Sequence, residues 1–111
     1  MDQQTDVLIC GAGPVGLSLA TQLEVMGISS LVIDKSPQRS AKSKALVVWG
    51  RSLELLNTCM DAHDFLKAGR PVRKARFYQE GTPFAEIDFT RAESEFGTGV
   101  LIPQSMTEKL L

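Results

Sequence analysis

Asp6-Val7-Leu8-Ile9-Cys10-Gly11-Ala12-Gly13-Pro14-Val15-Gly16 runs from apolar residues straight into glycines spaced G-x-G-x-x-G. Residues 6 to 10 read as a short strand. Leu17, Leu19, Ala20, Leu23 and Met26 then recur at helical spacing as far as Gly27. A second apolar run, Ile28 to Ile33, ends in Asp34. Strand, glycine turn, helix, strand and terminal acid make a complete βαβ unit, with the acid about 20 residues beyond the turn.

Each residue type suits its place. Gly11 allows the sharp strand-to-helix turn, where a Cβ would clash. Gly13 lets a diphosphate approach the main chain, whose unpaired N–H groups at a helix start attract negative charge. Gly16 and Ala20 share one helical face and let the helix lie close to the strands, and Gly27 caps its end. Asp34 can accept hydrogen bonds from both hydroxyls of an adenosine ribose and would repel a 2′-phosphate. The unit therefore predicts an ADP-containing dinucleotide.

The rest of the composition narrows the function classes. Of 111 residues, 43% are hydrophobic and 23% charged, with a net charge of −1, figures typical of one water-soluble domain. No apolar stretch is long enough to span a bilayer and no basic-then-apolar leader precedes the first strand, so the expectation is a cytoplasmic protein without a membrane partner. Cys10, placed in a buried strand, and Cys59, on a helix, form no C-x-x-C pair and read as structural thiols. His63 lies in a polar helical turn and has no cluster from which to build a metal site.

Between Lys35 and Arg51 five basic residues (Lys35, Arg39, Lys42, Lys44, Arg51) occur with no acid. Two readings stay open: a solvated loop, or a seat for a diphosphate or a reduced nicotinamide phosphate. Nucleic acid is disfavoured, because the stretch lacks interleaved aromatics and the remainder of the chain is acidic.

Further along, Ala45 to Trp49 is an apolar extended run and Arg51 to Met60 a helix with Leu53, Leu56 and Met60 on one face. Asp61, with Asp64 three residues on, restarts a helix that Gly69 closes and Pro71 blocks. From Val72 the period turns to alternation. A strand to Gln79, a turn at Glu80-Gly81-Thr82-Pro83 and a strand from Phe84 to Phe89 predict a hairpin. Gly99 to Pro103 is a short strand, and Ser105-Met106-Thr107-Glu108 is an S-x-x-E capping box launching a last helix. Only two strands of a parallel sheet are recognisable, so the expected whole is the N-terminal part of a longer protein.

At this level the chain resembles the FAD-dependent aromatic hydroxylases, the group A flavoprotein monooxygenases of the para-hydroxybenzoate hydroxylase and phenol hydroxylase type. The matching stretches are Asp6 to Leu17, Ser43 to Leu46, Arg51 to Leu56 and Ile102 to Glu108. The resemblance implies an α/β fold, the N-terminal part of a Rossmann-like FAD-binding domain carrying the first hairpin of a substrate-domain sheet. Residues 1–70 would bind the ADP half of FAD, 71–103 would form the hairpin and strands of the substrate-domain sheet, and 104–111 would begin a helix returning to the FAD domain. It implies FAD contacts at Gly11, Gly13, Pro14, Val15, Gly16, Asp34, Lys35, Lys44, Arg51 and Gln104. The implied chemistry is reduction of the flavin by NADPH or NADH, oxygen addition, and hydroxyl transfer to a small aromatic substrate. The remainder of the same protein, or a second chain, would complete the pocket.

Three departures stand out. Val47 occupies a position where relatives usually have Gly, and Trp49 one where a polar residue is common; core packing is the expectation for Trp49, an aromatic wall beside the flavin its alternative. Neither the Asp-Gly pair of the family's second fingerprint nor the Gly-Asp pair of its third occurs, so no catalytic residue is assigned. The βαβ unit by itself also suits an NAD-binding oxidoreductase domain, and the missing fingerprints suit a catalytically inactive, truncated flavin-binding fragment.

Overall fold

Val7–Cys10 (β1) and Ser30–Ile33 (β2) pair in parallel, Val7 opposite Ser30 and Cys10 opposite Ile33, in a computed structural model that describes residues 4–39 and 47–111. Pro14–Val25 (α1) crosses between them. It begins with Pro at its first position and ends in a Schellman turn, where Gly27 N–H donates to Glu24 O and Ile28 N–H to Leu23 O. Ile9 is buried beneath α1, whereas Leu8 and Cys10 point to the opposite, open face. Cys10 is thus exposed rather than buried as expected; period-2 alternation alone decides this.

The main core lies elsewhere. Val47–Trp49 (β3), Gly50–Leu56 (α2), His63–Ala68 (α3) and Arg70–Pro71 (β4) come first in the chain. Gly99–Leu101 (β7) then returns between β3 and β4, antiparallel to both. Gln104–Leu110 (α4) closes the assembly. Leu53, Leu56, Phe65, Phe96, Val100 and Ile102 interlock between these elements, joined by Met106 and Leu110 of α4. Apolar burial of this kind supplies most of a small domain's stability.

Several helix boundaries differ from the sequence expectation. α2 ends at Leu56 and continues only as tight turns to Met60. α3 starts at His63, where Asp61 Oδ1 accepts the His63 N–H at 3.0 Å; Asp64 pairs with Lys67 instead of completing a capping box. The predicted S-x-x-E box does not form. Pro103, extended at φ −60° and ψ 141°, is the N-cap of α4, its carbonyl accepting Thr107 N–H. Ser105 is therefore already inside the helix, and Glu108 accepts from Gln104 Nε2 at 2.9 Å.

Lys74–Gln79 (β5) and Thr82–Asp88 (β6) form the expected hairpin, with a bulge where Phe84 is the extra residue between Tyr78–Pro83 and Phe77–Ala85. Phe77, Tyr78, Phe84 and Ile87 all remain exposed on it. The radius of gyration is 17.0 Å, against about 13 Å for a compact domain of this size. No helix among the described residues is long and apolar enough to cross a membrane.

Candidate functional site

The end of β1, the start of α1 and the end of β2 meet at one point. Gly11 turns the chain there at φ +115°, a backbone region that side chains with a Cβ rarely enter, and its N–H donates to Ile33 O at 2.7 Å. The Ala12 N–H donates to Asp34 Oδ2 at 2.8 Å, and Ser36 N–H to Asp34 Oδ1 at 2.7 Å. The Ala12 amide, then the Ser36 amide, hold the Asp34 carboxyl below its ordinary value, and Asp34 is ionised at neutral pH. A carboxylate offers about four acceptor positions, so further donors can still be taken.

Among the described residues, no side chain caps the leading amides of α1 at Gly13, and a Cβ built on it would meet no heavy atom within 4 Å. Three residues on, Gly16 packs so tightly that a Cβ would lie 1.9 Å from Gly11 O and 3.2 Å from Ile9 Cγ2. The turn is thus closed on its inner side and open at its mouth. A cleft of about 530 Å³ leads from that mouth, lined by Ala12, Gly13, Leu17, Asp34, Arg39 and Glu108. The positive end of the helix and Arg39 favour an anion there, while Asp34 favours hydroxyl donors beside it.

A second cleft, of about 360 Å³, starts on Pro14 and Val15 and is walled by Val47, Val48, Trp49 and Leu55. Trp49 is half exposed, not packed in the core as expected. Its ring meets Phe89 edge-on at 6.3 Å.

Of the sequence-predicted site residues, Gly11, Gly13, Pro14, Val15, Gly16 and Asp34 converge on this turn. Lys35 lies beside them with Cys10, Gly11 and Ile33 around a shallow hollow. Gln104, first residue of α4, reaches the far side, sharing a small cleft with Pro14, Val47 and Val48. Arg51 is exposed on α2 and paired with Glu54 at 3.0 Å, away from these clefts. Lys44 lies outside the described residues. Sequence reasoning missed Ser36 and Glu108. The first acts through its main-chain amide in an Asx turn, for which Asp34 two residues earlier is the local signal, whereas the second is brought to the cleft only by the packing of α4 on α1 and carries none.

Residues 4–111 match the family described as FAD binding domain. The chain belongs to that family. It is 36% identical over 106 residues to an anhydrotetracycline monooxygenase of Streptomyces rimosus, covering 96% of this chain and 20% of that protein. With the uncharacterized aromatic compound monooxygenase YhjG of Bacillus subtilis strain 168 it shares 33% identity over 111 residues, all of this chain and 22% of that one. The solved structure of the flavin-dependent monooxygenase PieE in complex with FAD and substrate superposes with a TM-score of 0.81 at 25% identity, over 98% of this chain and 21% of that one. The chain spans about a fifth of the length of these relatives. The turn itself suits an FAD-binding family member: the mouth beside Gly13 is open, the leading amides carry no capping side chain, and an ionised acceptor stands beside them.

Proposed function

We propose that this chain supplies the binding site for the ADP half of FAD in a flavin-dependent monooxygenase acting on a small aromatic molecule, with NADH or NADPH as transient reductant. The observation that carries the reading is the single cleft in which the uncapped start of α1 and the ionised Asp34 stand side by side. In it, the amides after Gly13 hold the pyrophosphate and Asp34 takes the adenosine ribose hydroxyls. Pro14 and Val15 flank the chain leaving the diphosphate, Lys35 and Lys44 supply positive charge, and Gln104 contributes a contact from the side of α4. Arg51 joins them by exchanging Glu54 for the cofactor.

Bound flavin supplies the redox and oxygen chemistry; residues of this chain hold and orient it. Residues 1–70 serve as the ADP-half site, 71–103 as the beginning of the substrate-side sheet, and 104–111 as the helix returning to the cofactor. Two free cysteines, Cys10 and Cys59, suit action in the reducing cytoplasm.

Calorimetric titration of the purified chain with FAD, ADP and FMN tests this. FAD and ADP are expected to bind and FMN, which lacks the adenylate, to bind far more weakly. FMN binding as tightly as FAD would remove the basis of the assignment.

A further inference from the structure

The leading end of α1 opens into two clefts of opposite character. On one side stand Asp34, Ser36, Gln38 and Arg39; on the other the lining begins at Pro14 and Val15 and is mainly apolar, with Ser18, Gln22, Ser52 and Thr107 as its polar members. A dinucleotide bound by its diphosphate between them has one polar sugar to place and one large flat ring system. The polar cleft suits the sugar. We infer that Trp49 walls the apolar cleft as the stacking surface for the flavin ring, making it a positioning residue that separates FAD from nucleotides lacking that ring. This rests on the FAD reading above.

Trp49 is the chain's one tryptophan, and half of it stands in water although large apolar side chains gain from burial. It is nonetheless rigidly placed. Its backbone is paired with Gly99, and the next amide, Gly50 N–H, donates to Thr98 O at 2.6 Å. A Cβ on Gly99 would sit 2.6 Å from Val48 O, so the two strands touch where the indole emerges. Phe89 meets the ring at an interplanar angle of 70°, which supports an edge and leaves room for a planar partner on a face. Continuity with the glycine turn selects the occupant: the cleft starts on Pro14 and Val15, the first residues of the helix that faces the diphosphate.

The test compares the ratio of FAD to ADP affinity in the wild-type chain, Trp49→Phe and Trp49→Leu, the last keeping apolar volume without an aromatic plane. Stacking of this kind predicts a roughly two- to twelvefold fall in FAD affinity for Trp49→Leu, little change for Trp49→Phe and an unaltered ADP affinity in both. Indole emission of the wild-type chain should fall on adding FAD and stay constant with ADP. An unchanged FAD-to-ADP ratio in Trp49→Leu, or indole emission indifferent to bound FAD, overturns the assignment of Trp49 while leaving the ADP-half site standing. Absence of ADP binding to the wild-type chain overturns both.

Discussion

The carboxylate of Asp34 takes the amide proton of Ala12 across 2.8 Å, tying the end of β2 to the centre of the glycine turn 22 residues earlier. Strand end and turn are thereby fixed relative to one another before any ligand arrives. Hydrogen bonds to a charged group are worth about 1.5–3 kcal/mol, so Asp34→Asn should weaken FAD and ADP binding roughly ten- to hundredfold. Because the Ala12 and Ser36 amides lower the Asp34 pKa in the folded chain, its contribution is present above the unfolded carboxylate value and is lost as pH falls through the lower folded one. FAD affinity should accordingly stay level as pH falls from neutrality toward the ordinary carboxylate value of 3.8, since its pyrophosphate, esterified at both ends, takes up no proton in that range. A decline beginning near neutrality would show that another group controls binding.

Gly13 and Gly16 should separate binding from folding. Gly13 has an ordinary φ of −79° and open space where a Cβ would go, so Gly13→Ala should melt like the parent while losing FAD affinity roughly tenfold, the new methyl standing in the phosphate seat. Gly16→Ala would press a methyl into Gly11 O and against Ile9, overpacking that costs about 1–3 kcal/mol. Thermal unfolding paired with calorimetric titration reads both. Equal melting losses in the two variants would contradict the geometry.

The βαβ unit was legible because each of its features is local: apolar period, glycine spacing and a terminal acid lie within one short stretch. The start of α4 was not. Ser105 and Glu108 satisfy the capping pattern, but Pro103 can serve as N-cap through its carbonyl alone, and its fixed φ starts the helix two residues earlier. Trp49 and Cys10 were misjudged for a different reason. Apolar composition says that a residue gains from burial, whereas its burial depends on what packs over that face. The location of the main core, in α2, α3, β7 and α4 rather than around α1, likewise follows from long-range pairing of β7 with β3 and β4.

His63 bridges two segments: Nδ1 lies 2.9 Å from Asp61 Oδ1 and Nε2 3.0 Å from Glu95 Oε1, with the Phe96 ring at 5.0 Å. Only the imidazolium donates from both nitrogens. Asp61 foremost, with Glu95, raises the His63 pKa above 6.5 despite some desolvation, while His63, through its side chain and then its amide, lowers that of Asp61, with Lys67 adding least. A raised pKa means that the imidazolium's contribution is complete below 6.5 and disappears as pH rises through the folded value. NMR titration of the imidazole should give a midpoint above 6.5 that returns toward it in Asp61→Asn. A midpoint below 6.5 in the parent would show the bridge absent in solution.

Glu80 and Gly81 make a two-residue turn between Gln79 and Thr82, with φ of +49° and +81°. Two successive positive values define the type I′ turn, whose twist matches the flanking strands and whose preferred sequence is Asn-Gly. Glu80 is therefore in a conformation that costs a side chain bearing Cβ about 1–2 kcal/mol, a cost Asn tolerates better. Glu80→Asn should lengthen the hydrogen-exchange lifetimes of amides in β5 and β6, and Gly81→Ala should shorten them by a comparable factor. Local exchange is the appropriate readout because the hairpin buries little: Phe77, Tyr78, Phe84 and Ile87 are all exposed, so it can open without disturbing the core around Phe65. If Glu80→Asn left exchange in the hairpin unchanged, the turn would be limited by something other than its backbone, and the cross-strand pairs Arg76–Glu86 at 2.6 Å and Lys74–Glu86 at 3.2 Å would be the next place to cut.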